Sequence, residues 1–189
     1  RETLARLSEE KMFKSEQEYL PKIPYSELVK RGAVSNTNIK NDRIKEALAF
    51  YGVQSFKYLS EVRDACFRVS GKKKFNPYAI AAWLRIGELF AHDQKTKSFS
   101  RSRLKKHLDI IRSFTLLNPD EFIGKIQDLG NECGLVFAFI PRFKETYVNG
   151  ATKWIKPDKV LVQLSLRGKT NDIFWFSLFH ELGHVMLHS

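Results

Sequence analysis

Leu135-Val136-Phe137-Ala138-Phe139-Ile140, stopped by Pro141, is the stretch on which the fold turns. Before it, apolar residues recur every three or four positions. After Gly134 the pattern shortens towards two and strand-forming residues take over. Val148 to Ile155 reads as a second strand, with Gly150 suited to a bend or bulge. Lys159-Val160-Leu161-Val162-Gln163-Leu164-Ser165 reads as a third, and Pro157-Asp158 supplies turn residues between the two. Gly168 to Asp172 is a loop with Thr170 and Asn171 as candidate caps, and Ile173 to His188 is a strongly apolar helix. The expected architecture is α+β: an N-terminal helical region, then a small antiparallel sheet with the last helix laid on it.

The upstream half is punctuated by start and stop signals. Thr3 to Tyr19 has a loose helical spacing, interrupted by Pro21 and Pro24, and Ser26 to Lys30 is a short helix halted by Gly32. Asn41 to Tyr51 carries Ile44, Ala47, Leu48 and Tyr51 at helical intervals, with Gly52 as its stop. Asn76-Pro77 and Asn118-Pro119 each pair a capping side chain with proline at the first helical position. The first opens a helix through about Ala91, and the second a helix carrying Phe122, Ile126 and Leu129. Between them Ser100 to Leu116 reads as a basic, amphipathic helix.

Composition narrows the classes. Of 189 residues, 43% are hydrophobic and 13% aromatic, enough apolar surface to offset the entropy of ordering the chain. No apolar run approaches the ~18 residues of a membrane span. Cys66 and Cys133 cannot form a disulfide framework, which fits a reducing cytoplasm. Arg1 at the start and a helix running to Ser189 lead to the expectation of a segment truncated from a longer chain.

The net charge of +11 is unevenly placed. Residues 118–189 hold eight basic and eight acidic side chains, so the whole excess lies in residues 1–117. Much of it sits in Lys72-Lys73-Lys74 and from Lys95 to Arg112. The expected division is therefore a basic helical region over 1–117, acting as linker or partner-binding surface, and a second region over 118–189. Such a face attracts phosphates or an acidic protein, or simply keeps the chain in solution. No aromatic residues alternate with the basic ones as in a single-strand platform, and no zinc-finger, P-loop or dinucleotide signature occurs.

The last helix contains His180-Glu181-Leu182-Gly183-His184, an HExxH pattern. Residues four apart share a helix face, so both imidazoles can reach one ion. Neutral imidazole is a good zinc ligand, and two leave room for a third protein ligand and a water. Glu181, next to the first ligand, can serve as general base. Random placement of this chain's histidines and glutamates yields the pattern on the order of once in a hundred sequences. The apolar run Phe174-Trp175-Phe176-Ser177-Leu178-Phe179 predicts a helix buried nearly all round. A buried histidine pair then needs a metal, or ordinary hydrogen bonds, to offset desolvation. His188 lies about 12 Å along the axis from His180 and reads as structural. The expected third ligand is a carboxylate beyond Ser189 or, more weakly, Asp158, Asp172 or Glu145, so within these 189 residues the zinc site is expected to be empty or loosely occupied and the chain inactive.

The run from Asp172 to His188 resembles the core of the ImmA/IrrE family of metallopeptidase domains. Gly150-Ala151-Thr152-Lys153-Trp154 and Val162 to Arg167 are similar to the sheet segments that precede that core. Arg1-Glu2-Thr3-Leu4-Ala5-Arg6-Leu7 resembles the segment following the helix-turn-helix domain in HigA-like regulators fused to such a peptidase domain. The resemblance implies a zincin-like domain in a cytoplasmic bacterial or phage transcriptional regulator or antitoxin that cleaves a partner repressor with zinc. His180 and His184 would be ligands, Glu181 the general base, and an acidic residue downstream the third ligand. DNA would be contacted only through a preceding helix-turn-helix domain, and the partner would be a repressor or toxin protein. A rival expectation is a non-catalytic antitoxin or sensor module that binds a partner protein and supports DNA-bound repression.

The remaining candidates have simpler readings. Phe174, Trp175 and Phe176 are expected to pack on the sheet, Trp154 to be a half-buried strand aromatic, and Cys133 to be a buried thiol at a helix end. His92 and His107 have no partner at ligand spacing.

Overall fold

The computed structural model describes residues 10–61, 75–165 and 171–187. Among them are seven helices, α1 (10–16), α2 (Tyr25–Lys30), α3 (Lys40–Tyr51), α4 (Pro77–Asp93), α5 (Arg101–Ser113), α6 (Pro119–Cys133) and α7 (Asn171–Leu187). Three strands, β1 (Leu135–Phe139), β2 (Gly150–Lys156) and β3 (Lys159–Leu164), lie between α6 and α7. Single 3₁₀ turns occupy Leu20–Lys22, Phe56–Glu61 and Phe114–Leu116. The chain forms two compact units, Arg1–Arg85 with Phe143–Tyr147 and Ile86–Arg142 with Val148–Ser189. The composition step near residue 117 falls inside the second.

The first unit is helical, with an aromatic interior. Phe13, Leu28, Ile44, Tyr51, Phe56 and Phe143 are all buried. Tyr51 meets Phe56 edge-on at 6.2 Å and donates to the Tyr78 carbonyl at 2.9 Å. Burial, and then the neighbouring Tyr78, push the Tyr51 phenol far above its ordinary value. Loops are held by carboxylates: Glu16 accepts from Phe56 N–H at 2.9 Å, and Glu27 from Lys144 N–H at 3.1 Å. Glu46 takes both the N–H and the hydroxyl of Ser35. The Asn76-Pro77 start is realised as read: the Asn76 side chain accepts from Tyr78 and Ala79 N–H at 2.9 and 3.2 Å.

The second unit is a three-stranded sheet in the order β1-β3-β2. β2 and β3 form an antiparallel hairpin, as the Pro157-Asp158 turn predicts. β1, however, pairs with β3 in parallel, Leu135 opposite Val160 through Phe139 opposite Leu164, so the sheet is mixed and the expected all-antiparallel arrangement is corrected. β3 inserts between β1 and β2. Both β1 and β2 then run opposite ways while β3 shares the direction of β1. Every residue of β3 is buried, and β1 is buried up to Phe139, the pattern of strands covered on both faces.

Alternation assigns those faces. Leu135, Phe137, Val160, Val162 and Leu164 join Phe122, Ile126, Trp175, Leu178 and Leu182 in one core, with α5, α6 and α7. Val136, Ala138 and Leu161 pack on the other side with Ala91 of α4. Lys159 is buried there and donates to the Ala91 and Gln94 carbonyls at 3.1 and 2.6 Å, a cation at the carboxyl end of α4. Gly134, between α6 and β1, has φ +84° and lies so close to Phe99 that a Cβ would come within 2.3 Å of its main chain. Only glycine satisfies both demands.

Candidate metal centre

α7 lies against β2 and β3, and its buried side is Trp175, Leu178, Glu181, Leu182 and Val185. The rest of the helix is open to solvent, and Glu181, about 100° round the axis from His180 and about 60° from His184, stands at the border between the two sides. Ile173, Phe176 and Leu187 are exposed, Phe176 to 74%, and His180 and His184 lie on the same stripe. Three expectations are corrected here. The helix is not apolar all round in the buried sense, because a three-stranded sheet covers one side of a cylinder and no described element covers the other. Phe176 accordingly does not pack on the sheet, although Trp175 does and Phe174 does in part. The histidine pair is exposed rather than buried, so no desolvation has to be offset.

The spacing expectation fares differently. His180 Nε2 and His184 Nε2 are 3.2 Å apart, with the rings edge-to-face at 4.7 Å between centroids. Phe176 stacks on His180 at 6.1 Å and 17°. At 3.2 Å one imidazole can donate to the other. It is also the separation that a tetrahedral zinc imposes, since bonds of ~2.0–2.1 Å put two ligand atoms about 3.3 Å apart. The two donors therefore fit such an ion, and their exposure leaves its other positions accessible.

Glu181 is the buried member, 7% exposed. Its Oε2 accepts from the Thr152 hydroxyl at 2.8 Å, and that hydroxyl also lies 3.4 Å from the Glu181 carbonyl. Its Oε1 lies against Gly150, where a Cβ would come within 2.8 Å. Gly150 is regularly paired with Leu164, and the sheet's register shift falls between Trp154 and Lys156. The glycine therefore makes room for the carboxylate and is not the site of the irregularity, correcting its reading as a bend or bulge. Sequence reasoning missed Thr152. The available signal was alternation, which puts Gly150, Thr152 and Trp154 on one face of β2.

No group of three or more His, Cys, Asp or Glu able to hold an ion occurs among the described residues. Asp158 lies in the turn of the hairpin, beyond Lys156 at the end of β2, and accepts from Ser98. Asp172 is in the first turn of α7, and Glu145 belongs to the first unit. His107 contacts the Arg103 carbonyl through Nδ1 at 2.7 Å, and His92 pairs with Asp93 at 3.3 Å. Cys133 ends α6, 1% exposed, and burial raises its thiol. Trp154 is 37% exposed and meets Phe99 edge-on. His188, Cys66, Thr170, Arg167, the run Lys72–Lys74 and the stretch Arg1–Leu7 lie outside the described residues.

Compared with known proteins, the chain has no match among family models, curated sequences or solved structures. No described helix is long and apolar enough to cross a membrane.

Proposed function

We propose that α7 carries two zinc ligands and the general base of a metalloendopeptidase domain, within a bacterial or phage transcriptional regulator or antitoxin of the ImmA/IrrE kind. The 3.2 Å approach of the His180 and His184 Nε2 atoms, with Glu181 next in sequence, is the observation that supports this reading. A zinc ion supplies Lewis acidity, polarising a carbonyl and lowering the pKa of water. The two imidazoles would hold that ion at the surface of α7. Glu181 takes the proton of the attacking water and passes it to the leaving amine. The third protein ligand, an acidic residue in the resemblance, comes from outside the described residues. The substrate is a partner repressor or toxin in the cytoplasm, and DNA is reached only through a separate helix-turn-helix domain.

The test is zinc content and cleavage in the full-length protein. Zinc should bind stoichiometrically, Glu181→Gln should keep the metal and lose cleavage of a co-expressed partner repressor, and His180→Ala with His184→Ala should lose both. Zinc binding indifferent to the two alanines removes the proposal.

A non-catalytic partner-binding role is favoured by one observation: Arg101, Lys105, Lys106 and Arg112 are exposed on α5 beside a 45% exposed Ile110. If that face holds an acidic partner, neutralising Lys105, Lys106 and Arg112 should abolish capture of that partner; unchanged capture counts against it.

A further inference from the structure

The edge strand β2 does more than cover one flank of α7. Glutamate is among the side chains with most rotamer freedom, and on the surface of a helix its carboxylate would sample many positions. Glu181 is instead 7% exposed, hydrogen-bonded to β2 through one oxygen and packed against Gly150 of β2 with the other. The Thr152 hydroxyl donates to Oε2 at 2.8 Å, while Oε1 fills the space left by the missing Cβ of Gly150. Two residues apart on one strand, a donor and a gap face the same carboxylate. A β-branched threonine has few χ1 choices in a strand, so the donor is itself fixed.

We propose that Thr152, with the gap at Gly150, is a positioning residue that presets the carboxylate of Glu181 before any ligand arrives. The inference rests on Glu181 being the general base of the proposed peptidase, but the cradle exists without metal and is measurable without it. Groups that orient an active side chain through a hydrogen bond typically contribute about 10–100-fold when removed. A hydroxyl in place on the folded strand lowers the reorganisation needed when the carboxylate receives a proton.

The experiment compares Thr152→Val, Thr152→Ser and Gly150→Ala in the full-length protein. Valine keeps the shape and strand preference of threonine without the donor, so the fold is retained. Serine keeps the donor. The first readout is the ¹³C carboxyl resonance of Glu181 in metal-free protein, assigned by its loss in Glu181→Gln. The resonance should shift and broaden in Thr152→Val and Gly150→Ala and return to the parent position in Thr152→Ser. The second readout is zinc affinity, which should be unchanged in all three because His180 and His184 are untouched. The third is cleavage of the partner repressor, with kcat falling about tenfold in Thr152→Val at constant KM and recovering in Thr152→Ser. A Glu181 resonance identical in parent and Thr152→Val, or one that serine does not restore, overturns the cradle even if zinc binds. Failure of the full-length parent protein to bind zinc overturns the peptidase reading and leaves the resonance test standing.

Discussion

Three carboxylates of the first unit, and Glu121 in the cap of α6, serve the backbone, whereas Glu181 of the second unit does not. In the first, Glu16, Glu27 and Glu46 each accept from a main-chain N–H, of Phe56, Lys144 and Ser35 respectively. These acids satisfy loop backbone that would otherwise lack acceptors, a structural task. In the second, Glu181 accepts from a side-chain hydroxyl on an edge strand and satisfies no N–H, beside two histidines exposed to solvent. Among the described residues Glu181 is thus buried without serving the backbone, next in sequence to a solvent-exposed imidazole.

That contrast can be broken at several strengths. The largest effect is expected from His180→Ala with His184→Ala: zinc affinity falls at least about a hundredfold while chemical denaturation shifts by under about 0.5 kcal/mol, because both rings are exposed. Next comes Leu178→Ala, at a fully buried position on the sheet-facing side of α7, which should cost about 2–5 kcal/mol and open the β3 amides to hydrogen exchange. Glu16→Ala should cost about 1–3 kcal/mol by stranding the Phe56 N–H, whereas Glu181→Gln, which keeps an acceptor for Thr152, should cost less than ~1 kcal/mol. Equal losses from those two carboxylates would erase that distinction. The smallest effect is in acid. The Ser35 hydroxyl and N–H hold Glu46 below its ordinary value, so the stabilisation it gives is full above the unfolded-state value of about 4.3 and fades as pH falls through the lower folded one. Urea midpoints measured from pH 6 down to 3 (about three units spanning that titration) should fall more steeply for the parent than for Glu46→Gln.

Much of this was legible in the residues. The Asn-Pro pairs set the starts of α4 and α6, Gly52 and Gly134 set helix ends, and Ser100 caps α5 by accepting from Arg103 N–H. These signals are local, and so is the His180–His184 spacing. What failed depends on contacts far apart in sequence. Parallel pairing of β1 with β3 cannot be told from antiparallel pairing by apolar runs that are buried on both faces. The exposure of Phe176 and the histidines depends on which side of α7 the sheet takes, and a helix rich in aromatics gives little asymmetry from which to read it. Alternation gave the face on which Thr152 lies but not its partner, which is 29 positions away. The 3₁₀ turn at Phe56–Glu61 was missed as well, since its hold on Glu16 spans 40 positions.

The strand order has a kinetic corollary. Leu135 faces Val160, so a growing polypeptide completes β1 well before its neighbour has been made. During that interval an uncharged run of Leu, Val, Phe and Ala is without its sheet. Segments of that composition are the ones that stack between molecules. The hairpin of β2 and β3 closes locally and fast, and the docking of β1 against it is the slow event that ends the hazard. Aggregation during synthesis or refolding should therefore originate at 135–139, and a lysine introduced there would trade that danger for a ruined interior.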